Sequence, residues 1–455
     1  MKRLTRGLFL ICNSLLSSAL FAQSDEGAIR QIFEKEMREG HAYQWLVELS
    51  TTIGPRLSGS PGAKLAVEWG KRELQRTADS VWLQPVMVPQ WVRGKKEIAR
   101  IKKSKSVINV CALGGSVGTG PGGVTGEVVE VKNLEELKLL GEEKIKGKIV
   151  FFNRPMDPAK IHTFSAYGVA VDQRGSGPSE AARFGAIGAI VRSMGLNQED
   201  YPHTGSLGYE PSLPKIPAVA ISTMHADQLS KSLQANQHLQ FYFETHCQTL
   251  PDVQSFNVIG EIRGSEYPNE IIVVSGHLDS WDLGQGAHDD GAGVVHAMEV
   301  LRLFKVLGIK PKRTIRAVLF MNEENGLRGG IEYARQVELK KEKHVAAIES
   351  DRGGFTPRGF SMSTSASVRD QIKSWEPLLE PYGLTDFNQK GGGADIGPLE
   401  AFGVPLIGFL PDSQRYFDYH HTATDTIDKV SKRELELGAA SIAALVYLID
   451  TYGLK

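Results

Sequence analysis

His277 closes an apolar, β-branched run, Ile271 to Val274, and Asp289 follows it by twelve residues. Imidazole and carboxylate delivered together, without thiolate, suit a divalent cation in a hydrolytic site: zinc, or else manganese or cobalt. Acidic groups recur in the same setting. Glu323 and Glu324 follow the apolar run TIRAVLFM, and Asp351 follows HVAAIES. A polar loop, YHHTATDT at 419–426, adds His420 and His421. One open catalytic zinc takes three protein ligands. Five candidates exceed that number, whereas two metals sharing one carboxylate use them and leave each ion a position for water or substrate. Adjacent strand side chains point to opposite faces, so Glu323 and Glu324 should divide the labour. One would bind metal while the other takes a proton from the attacking water. Asp279, two residues past His277, is placed to accept the ring N–H of that histidine and fix its tautomer.

Positioning these groups requires strands. Asn257–Ile262, Ile271–Ser275, Thr314–Met321 and His344–Ser350 are short apolar runs of the buried-strand type. Between the second and third, Gly291–Leu307 repeats Val294, Val295, Met298, Leu301 and Phe304 on a helical face. Alternating strand and helix is the signature of a parallel α/β sheet, which binds ligands at its carboxyl edge. Upstream, Glu26–Glu39, Ala42–Leu49 and Ala63–Arg76 read as helices, and Val81–Trp91 as a strand interrupted by prolines.

The chain has 455 residues, 41% hydrophobic and 23% charged, with a net charge of −1. Two domains are the natural expectation at that length, and the charge balance points to no nucleic acid partner. Residues 1–22 carry Lys2, Arg3 and Arg6, then an apolar stretch from Leu8 to Phe21 too short for a spanning helix. This is the form of a cleavable signal peptide, implying a secreted or periplasmic protein with no stable membrane insertion. Cys111 and Cys247 remain in the mature chain. Two cysteines make no disulfide scaffold, and spacing alone leaves a single bridge open.

The glycine-rich stretch 114–126, GGSVGTGPGGVTG, contains Pro121 and is followed by a strand, so it reads as a linker and not as a phosphate loop. Residues 124–250 then have their own strand and helix rhythm, with strands at 126–131, 148–152, 186–192, 216–222 and 239–244. None of His162, His203, His225, His238 and His246 is paired with acidic residues at ligand spacing, and Arg174-Gly175-Ser176-Gly177 is not a nucleophile turn. The region reads as a non-catalytic inserted module. The expected division is 1–22 signal, 23–123 N-terminal part of the catalytic domain, 124–250 insertion, and 251–455 catalytic domain.

GHLDSW, AHDDGAG, NEENG, ESDRGG and HHTATDT stand in the order and approximate spacing of the co-catalytic di-zinc aminopeptidase and glutamate carboxypeptidase family. The Trp of GHLDSW and the segment QGAHDDG resemble its carboxypeptidase Q branch. The resemblance implies a mixed, largely parallel α/β sheet flanked by helices, with an inserted protease-associated domain. It implies two zinc ions per subunit: His277 and Asp351 on one, Glu324 and His421 on the other, Asp289 bridging both. His421 matches because it begins the His-Thr-x-x-Asp-Thr pattern. Glu323 matches the general base and Asp279 the orienting carboxylate. A cis peptide at Asp289–Asp290, small peptide substrates with a free amino terminus, and a homodimer are also implied. The tyrosine that some relatives use as an oxyanion donor has no match in the glycine-rich stretch 390–395, and Tyr416 and Tyr419 are its nearby candidates.

Three other readings compete. Glutaminyl cyclase-like acyl transfer would use the same fold with one zinc. A catalytically inactive receptor-like ectodomain would not need the intact ligand set or Glu323. A binding module with structural zinc would normally show a closed four-ligand site.

Overall fold

The computed structural model describes residues 24–104 and 107–455. The expected signal peptide lies outside them. Two sheets organise the rest. The first has seven strands in the order Ser80–Val92, Gln248–Ile262, Arg313–Phe320, Tyr267–His277, Lys343–Glu349, Leu406–Pro411 and Pro357–Ser363. Its four central members, from Arg313–Phe320 to Leu406–Pro411, run parallel. The outer strands pair antiparallel. The sheet is therefore mixed, with a parallel centre. Both faces of that centre are covered, which is why Ile271–Val274 and Ala317–Phe320 are apolar without alternation.

Helix Ala292–Val306 lies against Tyr267–His277 and is buried almost all round. The C-terminal helix Lys432–Tyr452 packs on it and on Asp25–Glu39. Its apolar length would suffice to cross a membrane, but 78% of its most apolar window is buried inside the protein. It is a core helix by packing.

The second sheet has eight strands, in the order Val107–Ile108, Glu97–Ile101, Gln240–Thr245, Val124–Val131, Ile149–Phe152, Gly188–Arg192, Ala218–Ile221 and Val110–Ala112. Three of these strands precede residue 124, so the second unit begins near 97 and not at the expected boundary. The physical reason is edge pairing: Glu97–Ile101 adds to Gln240–Thr245, and Val110–Ala112 adds to Ala218–Ile221. The glycine-rich 114–123 stretch accordingly joins two strands of one sheet; it does not link two domains. A strand and not a helix follows it, as a phosphate loop would not allow. Cys111 and Cys247 are both buried and unbridged.

Arg93 fastens the two units. It makes two bonds to Asp282, at 2.9 and 2.6 Å, and donates to the Ala112 carbonyl at 2.7 Å.

His344, at the start of a central strand, accepts from the Tyr333 hydroxyl at 2.8 Å, and burial lowers its pKa to about 4. An unfolded histidine titrates near 6.5. As pH falls from about 6.5 towards about 4, the unfolded chain therefore takes up a proton that the native state excludes, and stability falls. The loss can reach roughly 3 kcal/mol at one such site. Urea unfolding of wild type and His344→Gln at pH 7, 5.5 and 4.5 should show wild type losing stability relative to the variant as pH drops. Parallel pH curves would contradict this.

Candidate metal centre

Parallel strands end at one edge of a sheet, and the candidate ligands are there. His277 is the last residue of its strand. Asn322-Glu323-Glu324 follows Arg313–Phe320, and Asp351 lies two residues past Lys343–Glu349. Asp289 arrives just before helix Ala292–Val306, across a cis Asp289–Asp290 peptide. His421 comes from the loop before the C-terminal helix with a left-handed backbone, φ 62°.

These groups converge on Asp289. Its Oδ1 is 3.2 Å from His277 Nε2, which also lies 3.4 Å from Asp351 Oδ1. Its Oδ2 is 3.3 Å from His421 Nε2, which lies 3.1 Å from Glu324 Oε2. His420 stacks on His421 and lies 3.7 Å from Asp289 Oδ2, within ligand distance of both. Among the described residues, ligand-distance groupings of His, Asp and Glu include Glu324 but not Glu323.

The donor set fits divalent cations. His277 Nδ1 sits 3.0 Å from the Asp279 carbonyl, and His421 Nδ1 sits 3.2 Å from the Thr204 carbonyl. A carbonyl only accepts, so each Nδ1 carries the hydrogen and each Nε2 turns a lone pair towards two carboxylates. That arrangement is repulsive unless a cation lies between. Asp289 Oδ2, buried, has no hydrogen-bond donor. A cavity of about 10 Å³ lined by Asp289, Glu324, His421 and Asp425 has room for one ion or water.

Electrostatics point the same way. Burial, reinforced by the charges of Asp351, Glu324 and Asp289, pushes Glu323 well above the usual carboxylate range. Burial and Asp289 do the same to Glu324. Asp289 and Asp351 add further carboxylates at the same point, and imidazoles that turn lone pairs inward supply no charge to balance them.

Asp279 departs from expectation. Its carboxylate is 4.0 Å from His277 Nδ1, which takes the Asp279 backbone carbonyl instead. Asp279 Oδ1 accepts from the backbone N–H groups of Asn322, at 2.6 Å, and Glu323, at 3.2 Å. Its side chain thus holds the turn that presents Glu323, where Asn322 has φ 79°. Two short backbone donors outcompete one longer ring contact.

Other supports carried no strong signal in the sequence. Asp425 accepts from His288 N–H at 2.7 Å and Asp289 N–H at 3.1 Å, holding the shared carboxylate in place. Its position in HHTATDT was the available clue. Asp290 accepts from His277 N–H at 2.9 Å. The buried Arg56 donates to the carbonyls of Leu278, Gln285 and Gly286 at 2.6, 2.7 and 2.8 Å, stitching the loop between His277 and Asp289. Nothing in GPRLSG beyond its turn character announced that. The second sheet's unit, read as non-catalytic from its sequence, also reaches the site through Thr204. Its Phe164 helps to wall a cavity of about 260 Å³ beside Asp351, together with Arg352, Gly392 and Gly393. Tyr416 is buried, and burial with the charges of Asp289 and Asp351 pushes its hydroxyl well above the usual range.

Comparison with known proteins yields a consistent set. The model of "Peptidase family M28" matches residues 257–446. Carboxypeptidase Q of Homo sapiens is 35% identical over 412 residues, covering 90% of this chain and 85% of that protein. Aminopeptidase YwaD of Bacillus subtilis (strain 168) is 24% identical over 461 residues, covering 98% and 91%. Among solved structures, a peptidase M28 precursor from Shewanella amazonensis SB2B superposes with a TM-score of 0.90 at 34% identity, covering 95% of this chain and 98% of that one. BSAP, a zinc aminopeptidase from Bacillus subtilis, shares the fold, with a TM-score of 0.65 at 21% identity over 90% and 94% of the two chains.

Proposed function

The chain belongs to peptidase family M28, and from that premise we propose that it is a secreted or periplasmic di-zinc exopeptidase acting on dipeptides or short peptides with a free amino terminus. The observation that carries this reading is the convergence of His277 and His421 Nε2 on opposite oxygens of Asp289. His277 and Asp351 would hold one zinc, Glu324 and His421 the other, and Asp289 both. What the ions supply when bound is Lewis acidity towards the scissile carbonyl and acidification of a water.

The chain's own groups do the rest. Glu323, outside the ligand groupings, takes the proton from the attacking water. As the C–N bond breaks, it returns that proton to the leaving amine. Asp279 keeps Glu323 in place through the backbone of its turn. The small cavity beside Asp351, walled in part by Phe164 of the insertion, suits a short substrate. Export rests on the basic and apolar pattern of residues 1–22.

The test is a panel of dipeptides with free and N-acetylated amino termini, offered to zinc-reconstituted protein. Cleavage of the free forms and its loss on acetylation are expected. Equal cleavage of both would defeat the amino-terminal requirement and point to carboxypeptidase or endopeptidase action.

A further inference from the structure

The two halves of the metal centre are supported differently. In the His277 half, the ring N–H and the backbone N–H both go to residues of the first sheet's unit, Asp279 and Asp290. In the His421 half, Glu324 Oε1 accepts from the Trp281 N–H of the first unit at 3.1 Å, but the partners of the His421 ring N–H and carbonyl come from the insertion. His421 Nδ1 faces the Thr204 carbonyl at 3.2 Å, and Thr204 N–H donates back to the His421 carbonyl at 3.0 Å. This reciprocal pair holds the left-handed backbone of His421. Arg174 Nη1 donates to the same Thr204 carbonyl at 3.2 Å and lies 3.4 Å from His421 Nδ1. Its Nη2 donates to the Tyr167 hydroxyl at 2.6 Å. Ser206 Oγ donates to the Glu324 carbonyl at 2.8 Å. Between them Gly205 has φ 130°, and a Cβ there would fall 2.3 Å from Arg174 Nη1 and 2.7 Å from His421 Nδ1. No side chain larger than hydrogen fits where the insertion meets the site.

We infer that the insertion is a working part of the metal centre: Arg174 and Thr204 are positioning residues that orient His421, so the metal position of His421 and Glu324 depends on the insertion, whereas that of His277 and Asp351 does not. This rests on the two-metal reading above. The physical basis is that the acceptor on a ligand histidine's remote nitrogen sets the ring's tautomer and direction, and losing such a partner typically costs about 10- to 100-fold in metal affinity. Arg174 acts by holding the acceptor: with one N–H on the Thr204 carbonyl and another on Tyr167, it fixes the carbonyl that His421 uses.

The experiment strips the full processed chain with a chelator and titrates it with cobalt(II). Site-by-site affinity is read from calorimetry and from the visible ligand-field absorption, with no turnover involved. Wild type should take up two equivalents. Arg174→Gln should weaken one of them by about 10- to 100-fold, leaving the other unchanged. Arg174→Lys keeps the charge but loses the fork, and should give a smaller loss at the same position. It also carries the test if circular dichroism shows Arg174→Gln unfolded. Equal weakening of both positions, or of neither, would overturn the inference while leaving the peptidase reading intact. Wild type that binds no metal at all would sink both.

Discussion

Glu323→Gln is expected to keep both metal ions and to lose turnover by about 10²- to 10⁴-fold, the usual worth of a positioned general base. Glutamine has nearly the shape of glutamate but no affinity for the proton. The turn that carries residue 323 is held through its backbone by Asp279 and survives the change. Because Glu323 lies outside the ligand groupings while Glu324 lies within them, the same substitution one residue later should act differently. Glu324→Gln should lower metal content first and activity as a consequence. Metal analysis beside steady-state kinetics separates the two. A Glu323→Gln enzyme with wild-type kcat would remove this residue from the proton path, and one that lost metal would make it a ligand.

Asp289→Ala should lose both metals. Each oxygen of this carboxylate faces a different histidine, at 3.2 and 3.3 Å, so one truncation opens both halves at once. Asp351→Ala, by comparison, touches only the His277 side. The measurement is zinc per chain after dialysis against low metal, with circular dichroism to establish folding. Two ions retained by a folded Asp289→Ala protein would refute the shared position. The loss of two ions on truncating one residue is a sharper result than lost activity, which many lesions in a buried site could cause.

Much of the catalytic fold was legible because its determinants are local. An apolar strand that ends in a polar group announces both its own existence and the chemistry at its tip. Parallel strands share one edge, so His277, Glu323 and Asp351 could be placed together before their contacts were known. The glycine-rich 114–126 stretch misled for the opposite reason: its composition signals irregular backbone, but whether that backbone joins two domains or two strands of one sheet depends on pairing with Gln240–Thr245 and Ala218–Ile221, far along the chain. Asp279 shows the same limit on a smaller scale. Two residues from His277, it was assigned to the ring, yet the N–H groups that claim its carboxylate lie more than forty residues away.

By itself, then, the sequence determined the donor types, their order and the kind of sheet that carries them, since periodicity and residue chemistry act over a few neighbouring positions. Tertiary structure alone decided who holds the donors. The partners of His421, Asp289 and the 278–286 loop are Thr204, Asp425 and Arg56, each separated from its target by more than a hundred residues. Hydrogen bonds across such distances are set by how the elements pack, within the catalytic unit for Asp425 and Arg56 and between the two units for Thr204, and a buried carbonyl or N–H finds its partner by geometry, with no trace in the local pattern of residues.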